Sequence, residues 1–319
     1  GGFLFLIIPV LRVIFPAMAF LSQSSSRWTF IFWLHVIVLI WGFSGSLGRL
    51  IALGSLELVW LRTAIASIAL IGFMLMRSRS LALPPFRDCI RLAGLGVLIA
   101  IHWLTFFECI KQSNVSIALA CLSTGPLFVA IIEPIAFKRR IAGSEVLLAI
   151  GVLSGMLLAL GNLQADMYAI ALGISSAAIV SLFAVSNAFL VNRIPSEVIS
   201  LWELSAAALA LTFVLLYRGE VVGVISQTSA MDWIWLLILA LVCTTFAFTV
   251  SVQIMKRLTP FTMVLTVALE PVYGILIALA IFGETEAMSP NFYLGVLAVL
   301  AMVVMNGWLK RTKSPSKQG

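Results

Sequence analysis

Charge is the scarcest resource in this 319-residue chain: 10% of it is Asp, Glu, Lys or Arg, and 62% is hydrophobic. Soluble domains carry roughly 25% charged residues, so too little polar surface is left to keep the chain dispersed in water. Histidine is nearly absent. His35 and His102 stand on different apolar segments, which excludes a His-rich metal site. The four cysteines, Cys89, Cys109, Cys121 and Cys243, form no CxxC and no pair with His at ligand spacing, so neither a zinc site nor a disulfide framework is indicated. No Gly-Lys dipeptide occurs, hence no Walker A loop, and neither HExxH nor GxGxxG is present. No cofactor is implied. The net charge of +7 does not point to nucleic acid, because the basic residues lie in short clusters between apolar runs, as in cytoplasmic membrane loops.

What the chain has is long hydrophobic runs. A membrane-spanning helix needs about 20 mainly apolar residues. Ten such segments can be marked, near 28–48, 57–76, 91–109, 115–137, 144–161, 168–190, 198–217, 232–254, 260–282 and 291–309. The connections are short, the longest running from Arg77 to Asp88. Residues 1–27 are set apart. Pro9, Arg12 and Pro16 make Phe3–Phe20 a poor span, and the segment reads as a leader or an upstream extension with Met18 as a plausible start.

Lys and Arg set the expected orientation. With both ends in the cytoplasm, the inner side receives Arg27, Arg77, Arg79, Arg87, Arg91, Lys138, Arg139, Arg140, Arg193, Lys256, Arg257, Lys310, Arg311, Lys313 and Lys317. Outer loops hold Glu57, Asp166, Glu220, Asp232, Glu284 and Glu286 instead. This is the positive-inside asymmetry of a multi-pass protein of the inner membrane.

The chain also repeats itself. A shift of 145 residues lays Lys111 on Lys256, Asn114 on Thr259, Pro126 on Pro271 and Phe137 on Phe282. Each half then has five spans. Since five is odd, the second half enters the membrane inverted, the construction of many secondary transporters. Where the second half reads Gly283-Glu284-Thr285-Glu286, the first reads Lys138-Arg139-Arg140-Ile141.

Trp41-Gly42, Arg62, Pro126, Glu270-Pro271, Gly283-Glu284 and Gly295-Val296, in this order and spacing, resemble the EamA-type members of the drug/metabolite transporter superfamily. The resemblance covers about 28 to 310, as a first unit at 28–161 and a second at 168–310, with a basic cytoplasmic tail at 311–319. It departs from the family at Lys138-Arg139, where Gly-Glu is usual. It implies ten helices as two inverted repeats around a central cavity, and export of small metabolites, amino acids or drugs driven by ion or proton gradients.

Within Val267–Glu286, Glu270 and Pro271 are out of place in hydrocarbon. Proline frees a backbone carbonyl and bends the helix, which is tolerated only against protein or a wet cavity. Glu270 is therefore expected to face inward, as a substrate contact, a proton carrier or a structural carboxylate. Pro126 is its mirror, with Gly125 in place of the acid. Glu133 either faces an inner vestibule or pairs with Lys138 or Arg139. Glu203, behind Trp202, serves a proton path or anchors an ion pair. Arg62 attracts an anionic group, or meets Glu57 or Glu108, or snorkels outward. Trp41, Ser44, Ser46, Trp60, His102, Trp103, Ser186, Asn187 and Tyr273 are polar or aromatic candidates for a cavity wall, or plain packing. Gly94, Gly96, Gly151, Gly155 and Gly295 are expected to let helices approach closely.

Two other classes compete. Gly42-Phe43-Ser44-Gly45 fits GxSG, and with His102 it suggests a rhomboid-like intramembrane serine protease. Yet the flanks of His102 are bulky, and ten spans in two inverted units is the wrong build. A non-transporting channel or receptor on the same scaffold is the other. The expected reading is an all-helical, non-enzymatic secondary transporter of the bacterial inner membrane. Its partners are a small-molecule solute, membrane lipid and protons, without nucleic acid, as a monomer or homodimer.

Overall fold

The computed structural model describes residues 26–76, 84–160, 166–286 and 288–312, and these are helical nearly throughout. The leader up to residue 25 and the end of the basic tail lie outside them, and Arg27 opens the first helix. The first repeat comprises α1 (Arg27–Leu50), α2 (Ser55–Met76), α3 (Phe86–Gln112), α4 (Val115–Leu122), α5 (Gly125–Ala136) and α6 (Gly143–Leu160). The second comprises α7 (Met167–Asn187), α8 (Ser196–Arg218), α9 (Val221–Gln227), α10 (Ala230–Ile238), a π-helical stretch at Leu239–Phe246, α11 (Ala247–Ile254), α12 (Pro260–Val267), α13 (Glu270–Phe282) and α14 (Pro290–Thr312).

Among the described residues, eight helical segments are long and apolar enough to cross a membrane. The two others that sequence reading counts as spans have shorter apolar stretches, Gly143–Ala159 and Pro290–Met305. The outward faces carry large apolar side chains. On α8, Leu209, Phe213 and Leu216 are all exposed at helical spacing, a surface suited to lipid and not to water.

The fourth and ninth spans differ from the expected single bent helices: each is two helices end to end. Asn114 caps α4 by accepting from the Ile117 amide at 2.8 Å, and Thr259 caps α12 by accepting from the Thr262 amide at 3.3 Å. After eight residues each helix stops. The chain restarts at Gly125-Pro126 and at Glu270-Pro271, with proline in the first turn of α5 and α13. Proline is at home in a first helical turn, where its missing N–H has no partner to lose. The 145-residue shift thus pairs two caps and two restarts.

Helix pairing follows the same exchange between repeats. α3 packs on α7 as α1 packs on the π stretch and α11; α1 packs on α13 as α7 packs on α5. α6 packs on α14, its own counterpart, and α2 on α8. Glycines allow several of these contacts. A Cβ on Gly155 would lie 2.8 Å from the Gly295 carbonyl oxygen, and one on Gly295 would collide with the Gly155 carbonyl. Gly96 sits against the backbone of Glu203, and Gly151 against Met302. Gly94 is the exception, since a Cβ there would meet nothing within 4 Å. It faces open space and allows no close packing.

Candidate functional site

Between the repeats lies a cavity of about 90 Å³. The first repeat lines it with Trp41 and Ser44 of α1, Arg62 of α2, His102, Trp103 and Phe106 of α3, and Leu122 of α4. The second contributes Phe183 of α7, Phe248 and Ser251 of α11, Met263 and Val267 of α12, and Glu270. Both helix breaks adjoin this region, Leu122 ending α4 and Glu270 opening α13.

Arg62 is 2% exposed and meets neither Glu57 nor Glu108, as sequence reading allowed. Its Nε and Nη2 donate to Thr244 Oγ1 at 3.0 and 2.8 Å. Its guanidinium lies over the Trp103 ring, 4.1 Å from the centroid, a favourable cation–π arrangement. Glu108 instead accepts from Ser55 and Gln112. Among the described residues no carboxylate forms an ion pair with Arg62.

The π-helical stretch explains how Thr244 reaches that position. A π turn holds one more residue than an α turn, and such turns recur at functional sites. Thr244 and Thr245 donate to the carbonyls of Leu239 and Ala240, five residues back, at 2.8 Å each. The carbonyl of Cys243, the residue before Thr244, accepts from Trp41 Nε1 at 3.1 Å. Sequence reading missed Thr244. Two threonines in an apolar run carry no signal for a π turn.

Glu270 is 4% exposed and lines the cavity. It has no hydrogen bond or ion pair with any described residue. Its place at the start of α13 sets the carboxyl beside the positive end of that half-helix. A buried carboxylate without a partner is costly, so this group is placed to meet a ligand.

His102 Nδ1 lies 3.0 Å from the Ser176 carbonyl oxygen and 2.8 Å from its hydroxyl. Since the carbonyl can only accept, Nδ1 carries the proton in this contact. The nitrogen is engaged by Ser176 and not by Ser44, although both Ser44 and His102 border the cavity.

The EamA-like transporter family matches residues 28–161 and again 167–308. The chain belongs to this family. It is a two-repeat membrane protein of the EamA type, within the drug/metabolite transporter superfamily. A solved crystal structure has the same fold, with a TM-score of 0.67 at 19% identity, covering 91% of this chain and all of that one. Comparison with curated protein sequences gives no significant match.

Other residues singled out from the sequence lie away from the cavity of this EamA protein. Glu203 is fully buried between α7 and α8, accepting from Asn187 Nδ2 at 3.0 and 3.3 Å. Glu133 uses both oxygens internally: Oε1 is 3.2 Å from Arg139 Nη2, and Oε2 accepts from the Phe261 amide at 2.7 Å. It ties the end of α5 to the start of α12. Arg139 also reaches Glu145 at 2.6 Å. Burial works against its charge, but Glu145 and Glu133 together hold its pKa above the ordinary arginine value. Pro126 is buried at the restart of α5, Pro271 borders a small apolar gap beside Gly155 and Gly295, and Tyr273 packs on the main core.

Proposed function

We propose that this EamA protein is a secondary active transporter that binds a small solute in the cavity between its repeats and carries it by alternating access. One observation carries the reading: among the described residues, a guanidinium without a carboxylate partner and a carboxylate without a hydrogen bond or ion pair border the same aromatic-walled space. Two such groups cost stability unless something enters to meet them. The solute class that fits is a small metabolite, amino acid or drug-like molecule. It has an acidic group for Arg62 or a cationic one for Glu270, and an apolar part for Trp41, Trp103 and Phe248.

In this reading the protein crosses the bacterial inner membrane ten times. The shorter α6 and α14 complete the count, both termini are cytoplasmic, and the two halves are inverted. The half-helix start at Glu270 meets the site, as broken helices do in other inverted-repeat carriers. Protons are the coupling ion, taken up and released at Glu270, and export is the direction expected of the family. The protease reading loses support because, among the described residues, no hydrogen bond joins Ser44 to either nitrogen of His102, whose Nδ1 is held by Ser176.

The test is a metabolite uptake and efflux screen in reconstituted vesicles, with and without a proton gradient. Saturable flux that responds to the gradient in the native chain, and gradient-driven accumulation lost in Glu270→Gln, is the expected result. Unchanged accumulation in Glu270→Gln would refute the coupling role. Non-saturable flux would favour a channel.

A further inference from the structure

On the opposite face of α7 from the central cavity lies a second opening, a groove of about 720 Å³ between α3 and the end of α7. α7 turns Phe183 and Ala184 to the cavity and Leu182 and Ser186 to the groove, which Phe189, just past its end, also lines. The geometry points to a binding site for one anionic phospholipid, with its headgroup phosphate on Arg91 and Arg193 and an acyl chain along Leu98, Leu182 and Phe189.

Charge and depth choose this occupant. Arg91 Nη1 and Arg193 Nη2 lie 3.2 and 3.3 Å from the same oxygen of Asp88, which is itself buried. One carboxylate shared by two guanidinium groups leaves a net positive charge at the rim. Arg91 keeps its Nε and Nη2 donors, and Arg193 its Nη1 donor, without a partner among the described residues. Both side chains are about half exposed, at 57% and 51%, so an arriving phosphate reaches them without unfolding anything. Paired guanidinium donors suit phosphate oxygens, and basic pockets between membrane helices recognise anionic headgroups.

Below the rim the groove turns apolar. Leu182 and Phe189 are 43% and 46% exposed, surfaces that hydrocarbon covers well. At Gly94 the wall is bare, leaving room for a chain. The Ser186 hydroxyl, half-buried in the groove, makes no hydrogen bond with any described residue and is free to meet a glycerol ester.

The inference stands apart from the transport reading and is tested by binding alone. The full chain in detergent is offered equimolar phosphatidylglycerol and phosphatidylcholine of identical acyl chains, and retained lipid is counted by native mass spectrometry. The native chain is expected to hold one phosphatidylglycerol with about fivefold preference, as a net rim charge implies. Arg91→Gln with Arg193→Gln should remove the preference, while the double Lys variant keeps it and so controls for folding. Gly94→Leu, which leaves both arginines in place, should lower retention of either lipid. Equal retention of the two lipids by the native chain overturns the proposal. So does a preference unaffected by the glutamine pair, displacement by glycerol 3-phosphate alone, or a dimer that buries the groove.

Discussion

In the first repeat the fourth span restarts at Gly125-Pro126; in the second, the ninth restarts at Glu270-Pro271. Backbone and prolines correspond, and so do the caps at Asn114 and Thr259, but only one restart carries a charge. The scaffold is shared because both halves need a break at the same depth. The chemistry is single because the neighbours differ. A Cβ on Gly125 would lie 2.8 Å from Val264 Cγ1 and 3.4 Å from Ser181 Oγ, so the first restart is packed shut where the second opens on the cavity. A two-fold fold with a one-sided site teaches that the symmetry lies in the backbone and the asymmetry in the side chains that border the cavity.

Making the restarts alike is the most damaging experiment. Gly125→Glu must force a carboxylate into a space filled by Val264 and Ser181. Overpacking costs about 1–3 kcal/mol and a charge in a membrane helix about 2.5–3.5 more, so little folded protein should be recovered from detergent extraction. Good yield and native melting would show that the first restart is as roomy as the second.

Removing the charge from the other side should spare the fold and strike function. Glu270→Gln keeps size and shape, and is expected to melt near the native temperature. Solute flux should fall on the order of a hundredfold, matching the roughly 2–5 kcal/mol at stake when one partner of a buried charged contact is deleted. Arg62→Gln should lower flux similarly, with an added loss of stability from its place over Trp103. If flux survives both changes, the cavity is not the solute site.

The architecture was legible in the sequence for reasons tied to particular residues. Hydrocarbon-length runs, the sorting of Lys and Arg, and the 145-residue echo all follow from what a bilayer demands of any chain. Glu270 was legible because an acid before a proline is conspicuous among apolar neighbours, and Arg62 likewise. Their partners were not. Thr244 depends on a π turn, and turn type in an apolar run is decided by packing from α1 and α2 rather than by local residues. Glu133 and Glu203 looked like candidates on the same grounds as Glu270. Only the folded chain separates an acid satisfied by Arg139 and the Phe261 amide, or by Asn187, from one left facing a cavity.

Glu133→Gln probes the satisfied acid. An amide presents one acceptor and one donor, yet Arg139 and the Phe261 N–H both require acceptors. One buried donor is left unmet, worth about 1–3 kcal/mol. A lower melting temperature with flux per folded molecule unchanged is expected; a selective loss of flux would move Glu133 into the transport pathway.

The ends of the two broken spans supply the smallest test. α13 ends at Gly283 with φ 61° and ψ −135°, and α5 ends at Phe137 before Lys138 with φ 51°. The amide of Arg139 returns to the Pro134 carbonyl at 3.0 Å, closing the helix as a Schellman turn, which usually has glycine where Lys138 stands. Substituting lysine at Gly283 puts a Cβ into a region nearly reserved for glycine, at a cost of about 1–3 kcal/mol. The reverse change, Lys138→Gly, relieves left-handed strain of about 1–2 kcal/mol. It returns part of that through the greater freedom of glycine in the unfolded chain, about 0.4–1 kcal/mol. A slight rise in melting temperature is expected for Lys138→Gly and a clear fall for Gly283→Lys. Equal and opposite shifts would mean that the two ends have the same backbone demand, and that the first repeat carries lysine there at full cost because a cation on that side of the membrane is worth it.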